Sequence, residues 1–210
     1  MQHAPLDESR VGRSLAAAGA AAGAAEVGRL TAFLNLLVKW NRVYNLTGIR
    51  DADELVERHL IESLDLAPLL RGERIADVGT GAGLPGLPLA IVAPDRRFTL
   101  VESRAKRVRF LRHVVGELGL SNVEIEHCRV EDLRCERPFD TVLARAVAPP
   151  AELIAMTRHL TAPSTILLLL TAARLEREWR DLAASLGVRP IAVDAPGAAR
   201  RSAIVMLERI

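Results

Sequence analysis

With 210 residues, half of them hydrophobic and 26% charged, the chain has room for one domain, a lead-in segment and a sizeable buried core. A formal net charge of only +2 excludes nucleic-acid binding by bulk charge, so any such contact must come from a local patch. Cys128 and Cys135 form neither a zinc pattern, a redox pair nor a disulfide scaffold, which points to reduced thiols in a cytoplasmic protein with no metal.

Residues 1–25 read, by composition, as a flexible Ala/Gly-rich leader. The run from Leu15 to Ala25 has the outline of a signal segment, but Asp7 and Glu8 precede it and alanine and glycine give little hydrophobic drive. From Glu26 the pattern is helical, with Leu30, Phe33, Leu34, Leu37 and Tyr44 on one face. Asn41 falls on the same stripe, an unusual place for a side chain with four hydrogen-bonding sites. Asn45-Leu46-Thr47 breaks this helix, and a second runs from about Asp53 to Leu66 with His59 and Ser63 among its inward residues. That histidine reads either as a hydrogen-bonded core residue or as part of a cleft wall. Residues 26–70 thus make an N-terminal helical cap.

Residues 71–210 alternate strands with helices, the signature of a mostly parallel sheet covered on both faces. Strands are expected at Arg74–Val78, Phe98–Val101, Val123–His127, Phe139–Leu143 and Thr165–Leu170. Helices fall between them, followed by one from about Leu175 to Leu186. Strands near Pro190–Val193 and Ala203–Leu207, joined by a turn at Pro196-Gly197, close the chain as a hairpin. The apolar run Ile166 to Leu170 is far too short to span a bilayer, so no membrane contact is expected.

Gly79, Gly81 and Gly83 follow the first strand, where they let the backbone turn sharply and approach a ligand; Pro85 is placed to open the next helix. A tight turn with no ligand is the alternative. A nicotinamide-binding fingerprint needs glycine where Leu84 stands. The spacing after Asp77 is similar to motif I of the S-adenosylmethionine methyltransferases. In such sheets ligands sit at the carboxyl ends of the strands, and three further candidates stand there. Glu102 can accept from ribose hydroxyls, Arg129-Val130-Glu131-Asp132 can read an adenine edge, and Ala144-Arg145-Ala146 lies beside the reacting centre.

Lys39-Trp40-Asn41 through Asn45-Leu46-Thr47, Arg58-His59 with Ser63, the run from Asp77 to Gly86, Lys106-Arg107-Val108-Arg109-Phe110-Leu111 and Ala144-Arg145-Ala146 together carry a family resemblance. The chain resembles the ribosomal RNA small subunit methyltransferase G family, formerly the glucose-inhibited division protein B family, densely from Leu30 to Leu170. The resemblance implies an α/β, Rossmann-like class I fold with a seven-stranded, mostly parallel sheet ending in an antiparallel hairpin. It also implies methyl transfer from S-adenosyl-L-methionine to N7 of a guanine in the decoding region of 16S rRNA, and contacts to the cofactor from Gly79, Leu84, Val130, Glu131 and Arg145. Thr171-Ala172 stands where the family commonly has Lys-Gly, and the last strand lacks its usual lysine. Both missing cations would have faced RNA.

Guanine N7 already carries a free lone pair, so no catalytic base is expected; alignment of the reactants is the main requirement. No Pro-Pro-aromatic stretch or cysteine follows the fourth strand, which separates the chain from amino-nitrogen and carbon-5 methylases. Arg145 reads equally as a clamp on guanine or cofactor carboxylate and as a plain salt bridge. For RNA, the candidates are Lys106, Arg109 and His113 on the outer arc of the helix after the second strand, Arg107 near its start, and Asn45 and Arg58 from the cap. A solvated helix face is the alternative for that arc. A monomer working on 16S rRNA or the small ribosomal subunit is the expectation. The competing readings are a small-molecule methyltransferase on the same sheet and a non-catalytic RNA- or nucleotide-binding protein.

Overall fold

The computed structural model describes residues 5–48, 51–145, 147–172, 181, 185, 188–191 and 202–209. Within them the elements are α1 (Glu8–Ala17), α2 (Ala24–Tyr44), α3 (Ala52–Leu55), a π-helical turn (Val56–Ile61), α4 (Glu62–Leu64), β1 (Arg74–Val78), α5 (Gly86–Val92), β2 (Arg97–Val101), α6 (Ala105–Leu118), β3 (Val123–Glu126), β4 (Thr141–Arg145), α7 (Pro150–Thr157), β5 (Ile166–Ala172), β6 (Val188–Ile191) and β7 (Ser202–Arg209). The expected helix at 175–186 and the turn at Pro196-Gly197 lie outside the described residues, apart from Asp181 and Ser185.

The sheet order is β3-β2-β1-β4-β5-β7-β6. The first five strands pair in parallel, while β7 runs antiparallel to both β5 and β6. The strand order reverses between β1 and β4, and a crevice opens at such a point above the strand tips. From Ile75 to Val78 every residue of β1 is buried, as a central strand covered on both faces requires. Alternation then sorts the core into two layers. Ile75, Phe98, Leu100 and Leu143 join the cap helices, α5 and α6. Ala76, Val78, Val142 and Ala144 pack on the opposite face with Leu153 of α7.

Four local expectations need correction. Part of the segment read as a flexible leader is helix α1. Asp7 caps it by accepting the Arg10 N–H, and Val11 and Leu15, one turn apart, are buried in the core that the cap shares. Alanine contributes helix propensity there, and two well-spaced apolar residues suffice for docking. The second cap helix is not regular, because a π turn interrupts it at Val56–Ile61. Pro85 is the cap residue of α5 instead of its first helical residue. Strand β4 starts two residues later than the hydrophobic run suggests, because Asp140 accepts the N–H groups of Glu73 and Arg74 and terminates the loop. Arg145 therefore closes the strand.

Candidate active site

The glycine turn follows from β1. Gly79, Gly81 and Gly83 all take left-handed φ values, 64°, 63° and 81°. At Gly83 a Cβ would also lie 2.2 Å from Leu87 Cδ1, so this glycine serves the packing of turn on helix. Behind the turn, Asp77 is fully buried, and its Oδ2 accepts the Thr80 hydroxyl at 2.6 Å and the Gly86 N–H at 2.8 Å. One carboxylate oxygen thereby fixes both limbs of the turn. Burial pushes the Asp77 carboxyl up to about 7, against the two hydrogen bonds and Arg145, which pull it down.

Glu102, just past β2, is the second anchor. Its Oε2 accepts the Gly81 N–H at 3.1 Å and its Oε1 accepts the Arg104 N–H at 2.8 Å. Arg107 Nη1 reaches Oε2 at 3.3 Å. A carboxylate held by backbone donors and one guanidinium keeps its orientation while facing the cavity.

These residues line a cleft of about 610 Å³ at the strand tips, within the range that encloses a cofactor-sized ligand. Gly79, Gly81, Leu84, Glu102, Val130, Glu131 and Arg145 all reach its wall, whereas Gly83 stands behind it. Arg145 is only partly exposed and pairs with the buried Glu62 of α4 at 3.6 Å. The salt bridge and the place on the cleft wall therefore coexist.

The RNA candidates separate. Lys106, Arg109 and Asn45 are exposed. Arg107 turns inward to Glu102 and the cleft, and His113 is half-buried against the Trp40 ring at 5.3 Å. The Arg58 side chain lies outside the described residues.

Other wall residues carry weaker sequence signals. Leu46, Thr47 and His59 come from the cap, and Val147, Glu152 and Met156 come from the segment after β4. The misplaced Asn41 is the traceable clue. Its Oδ1 accepts the Thr47 N–H at 2.8 Å, and Thr47 Oγ1 shares a 2.7 Å hydrogen bond with His59 Nε2. His59 is thus both a bonded interior histidine and a wall residue. Cys128 also lines the cleft, but burial, Glu126 and Asp132 push its thiol up, which disfavours a thiolate nucleophile.

Residues 26–201 match the family described as rRNA small subunit methyltransferase G. The chain belongs to that family. It is 46% identical over 185 residues to a ribosomal RNA small subunit methyltransferase G of Methylococcus capsulatus, spanning 88% of this chain and 90% of that protein. A same-named protein of Escherichia coli K12 is 51% identical over 132 residues, 63% of this chain and 64% of its own. Among solved structures the fold is similar to a SAM dependent methyltransferase from Aquifex aeolicus, with TM-score 0.62 and 18% identity over 79% of this chain and 97% of that one. It is equally similar, at TM-score 0.62 and 18% identity over the whole of both chains, to a magnesium protoporphyrin IX methyltransferase from Synechocystis with bound SAM. The Rossmann-like methyltransferase fold expected from the sequence is therefore the fold of this chain.

Proposed function

We propose that this protein, acting as a cytoplasmic monomer, transfers a methyl group from S-adenosylmethionine to N7 of a guanine in the decoding region of 16S rRNA. The observation that carries the reading is the cleft at the β1–β4 reversal, with Glu102 anchored to the glycine turn, in a chain whose relatives are named small-subunit rRNA methyltransferases. The wall residues fit that cofactor. Glu102, oriented by the Gly81 and Arg104 amides, suits the ribose hydroxyls; Val130 and Glu131 flank the space for adenine; and the left-handed turn keeps its backbone open to a ligand. Arg145, held by Glu62, has the charge to take a carboxylate.

Bound there, the cofactor supplies an electrophilic methyl group on a sulfonium. The protein's own contribution is alignment and exclusion of water, because guanine N7 has no proton to lose. Exposed Lys106 and Arg109 on α6, with Asn45 at the end of α2, take the role of holding RNA. The test is incubation of the protein with methyl-labelled cofactor and small ribosomal subunits lacking the modification. Label at a decoding-region guanine N7 is the expected result; label at another atom, or none, overturns the reading.

A further inference from the structure

The cleft has two chemically different ends. The glycine turn, Glu102 and Val130 build one from strand tips. The other draws on two segments far apart in sequence, Leu46, Thr47 and His59 of the cap and Glu152 and Met156 of α7, while Val147 after β4 lies against Gly79 of the turn. Buried polar bonds fix the cap's share of that end. Asn41 receives the Thr47 N–H, Thr47 bonds to His59, the Ser63 hydroxyl donates to the His59 carbonyl, and Glu62 ties α4 to Arg145. Buried polar groups add little net stability over a well-packed apolar interior, but they fix side-chain orientation. The π turn that carries His59 is a departure from regular helix that is frequent at functional sites.

Resting on the reading above, we infer that this second end is the purine-acceptor subsite and that Glu152 reads the guanine edge. Leu46 and Met156 offer apolar surface to the faces of a flat base, and Val147 borders it on the side of the glycine turn. Glu152 is exposed on the first turn of α7, lines the cleft, and has no hydrogen-bond or ion-pair partner among the described residues. A carboxylate with two free acceptor oxygens matches the two neighbouring donors of guanine's Watson–Crick edge, N1–H and the 2-amino group; adenine offers no such pair. With that edge on Glu152, N7 lies across the ring from the carboxylate, leaving it free to face the cofactor. The bonded pair Thr47–His59 fixes the wall against which the base settles.

The test compares decoding-region RNA carrying guanosine or inosine at the target, in reconstituted small subunits, with wild-type protein and the Glu152→Gln variant. Inosine keeps N7 and N1–H but lacks the 2-amino group. The wild type should lose about tenfold in kcat/KM on inosine, because the carboxylate loses a partner. Glu152→Gln should lose about tenfold on guanosine and treat the two bases alike, with cofactor affinity measured by calorimetry unchanged. Equal wild-type rates on both bases, or undiminished discrimination by Glu152→Gln, overturns the subsite. Absence of wild-type transfer to the guanosine subunits strikes the underlying reading first, and the subsite with it.

Discussion

The two ends of the cleft are held by different means. At the glycine end the backbone makes the site: three left-handed residues, a strand register and two buried carboxylates that accept its N–H groups. At the cap end side chains make it, through a relay from Asn41 to Thr47 to His59. A backbone-built site admits few residue types and tolerates little change. A relay-built site leaves the cofactor end intact when it is cut, so mutations can address one end at a time.

The largest effect is expected at Asp77. Its carboxyl is pushed up to about 7 in the folded protein, above its value in an unfolded chain. Between about pH 4 and pH 7 the folded state therefore holds the extra proton, and this group's contribution to stability falls as pH rises through that window. Asp77→Asn removes the titration. From pH 4 to pH 8 its unfolding free energy in urea should gain on the wild type by up to about 4 kcal/mol. Parallel pH curves for the two proteins would show that the turn does not rest on a strained buried acid.

Next comes Glu102→Ala, which removes the acceptor for the Gly81 and Arg104 amides. Calorimetry should show cofactor affinity reduced roughly 10- to 100-fold, the loss expected for hydrogen bonds to a charged group. A smaller effect follows from Asn41→Ala, about 1 kcal/mol in stability, since the Thr47 N–H loses its partner. There kcat/KM for the rRNA substrate should fall while cofactor affinity holds. A matching loss of cofactor affinity would erase the distinction between the two ends. The mildest change is Lys106→Glu with Arg109→Glu on the outer face of α6. It should raise KM for small subunits less than tenfold at low salt, and high salt should narrow the gap.

The same contrast explains what the sequence disclosed. The strands and the glycine turn were legible because covered parallel strands demand apolar runs and left-handed φ demands glycine. Glu102 and Val130 were legible because they follow strand ends. His59 could be read only as one of two things, since Thr47 meets it through a loop that local pattern does not describe. Arg107 was legible as a residue near the mouth of the site from its place at the start of the helix, but its pairing with Glu102 was not, because tertiary packing sets it. Helix α1 escaped notice because its alanines mask two core residues, Val11 and Leu15.

The most direct measurement is a crystal structure with S-adenosylhomocysteine bound. The account predicts ribose hydroxyls on Glu102, adenine beside Val130 and Glu131, and the sulfur facing the Thr47–His59 wall. A ligand seated elsewhere, or reversed so that its adenine fills the cap end, would contradict it.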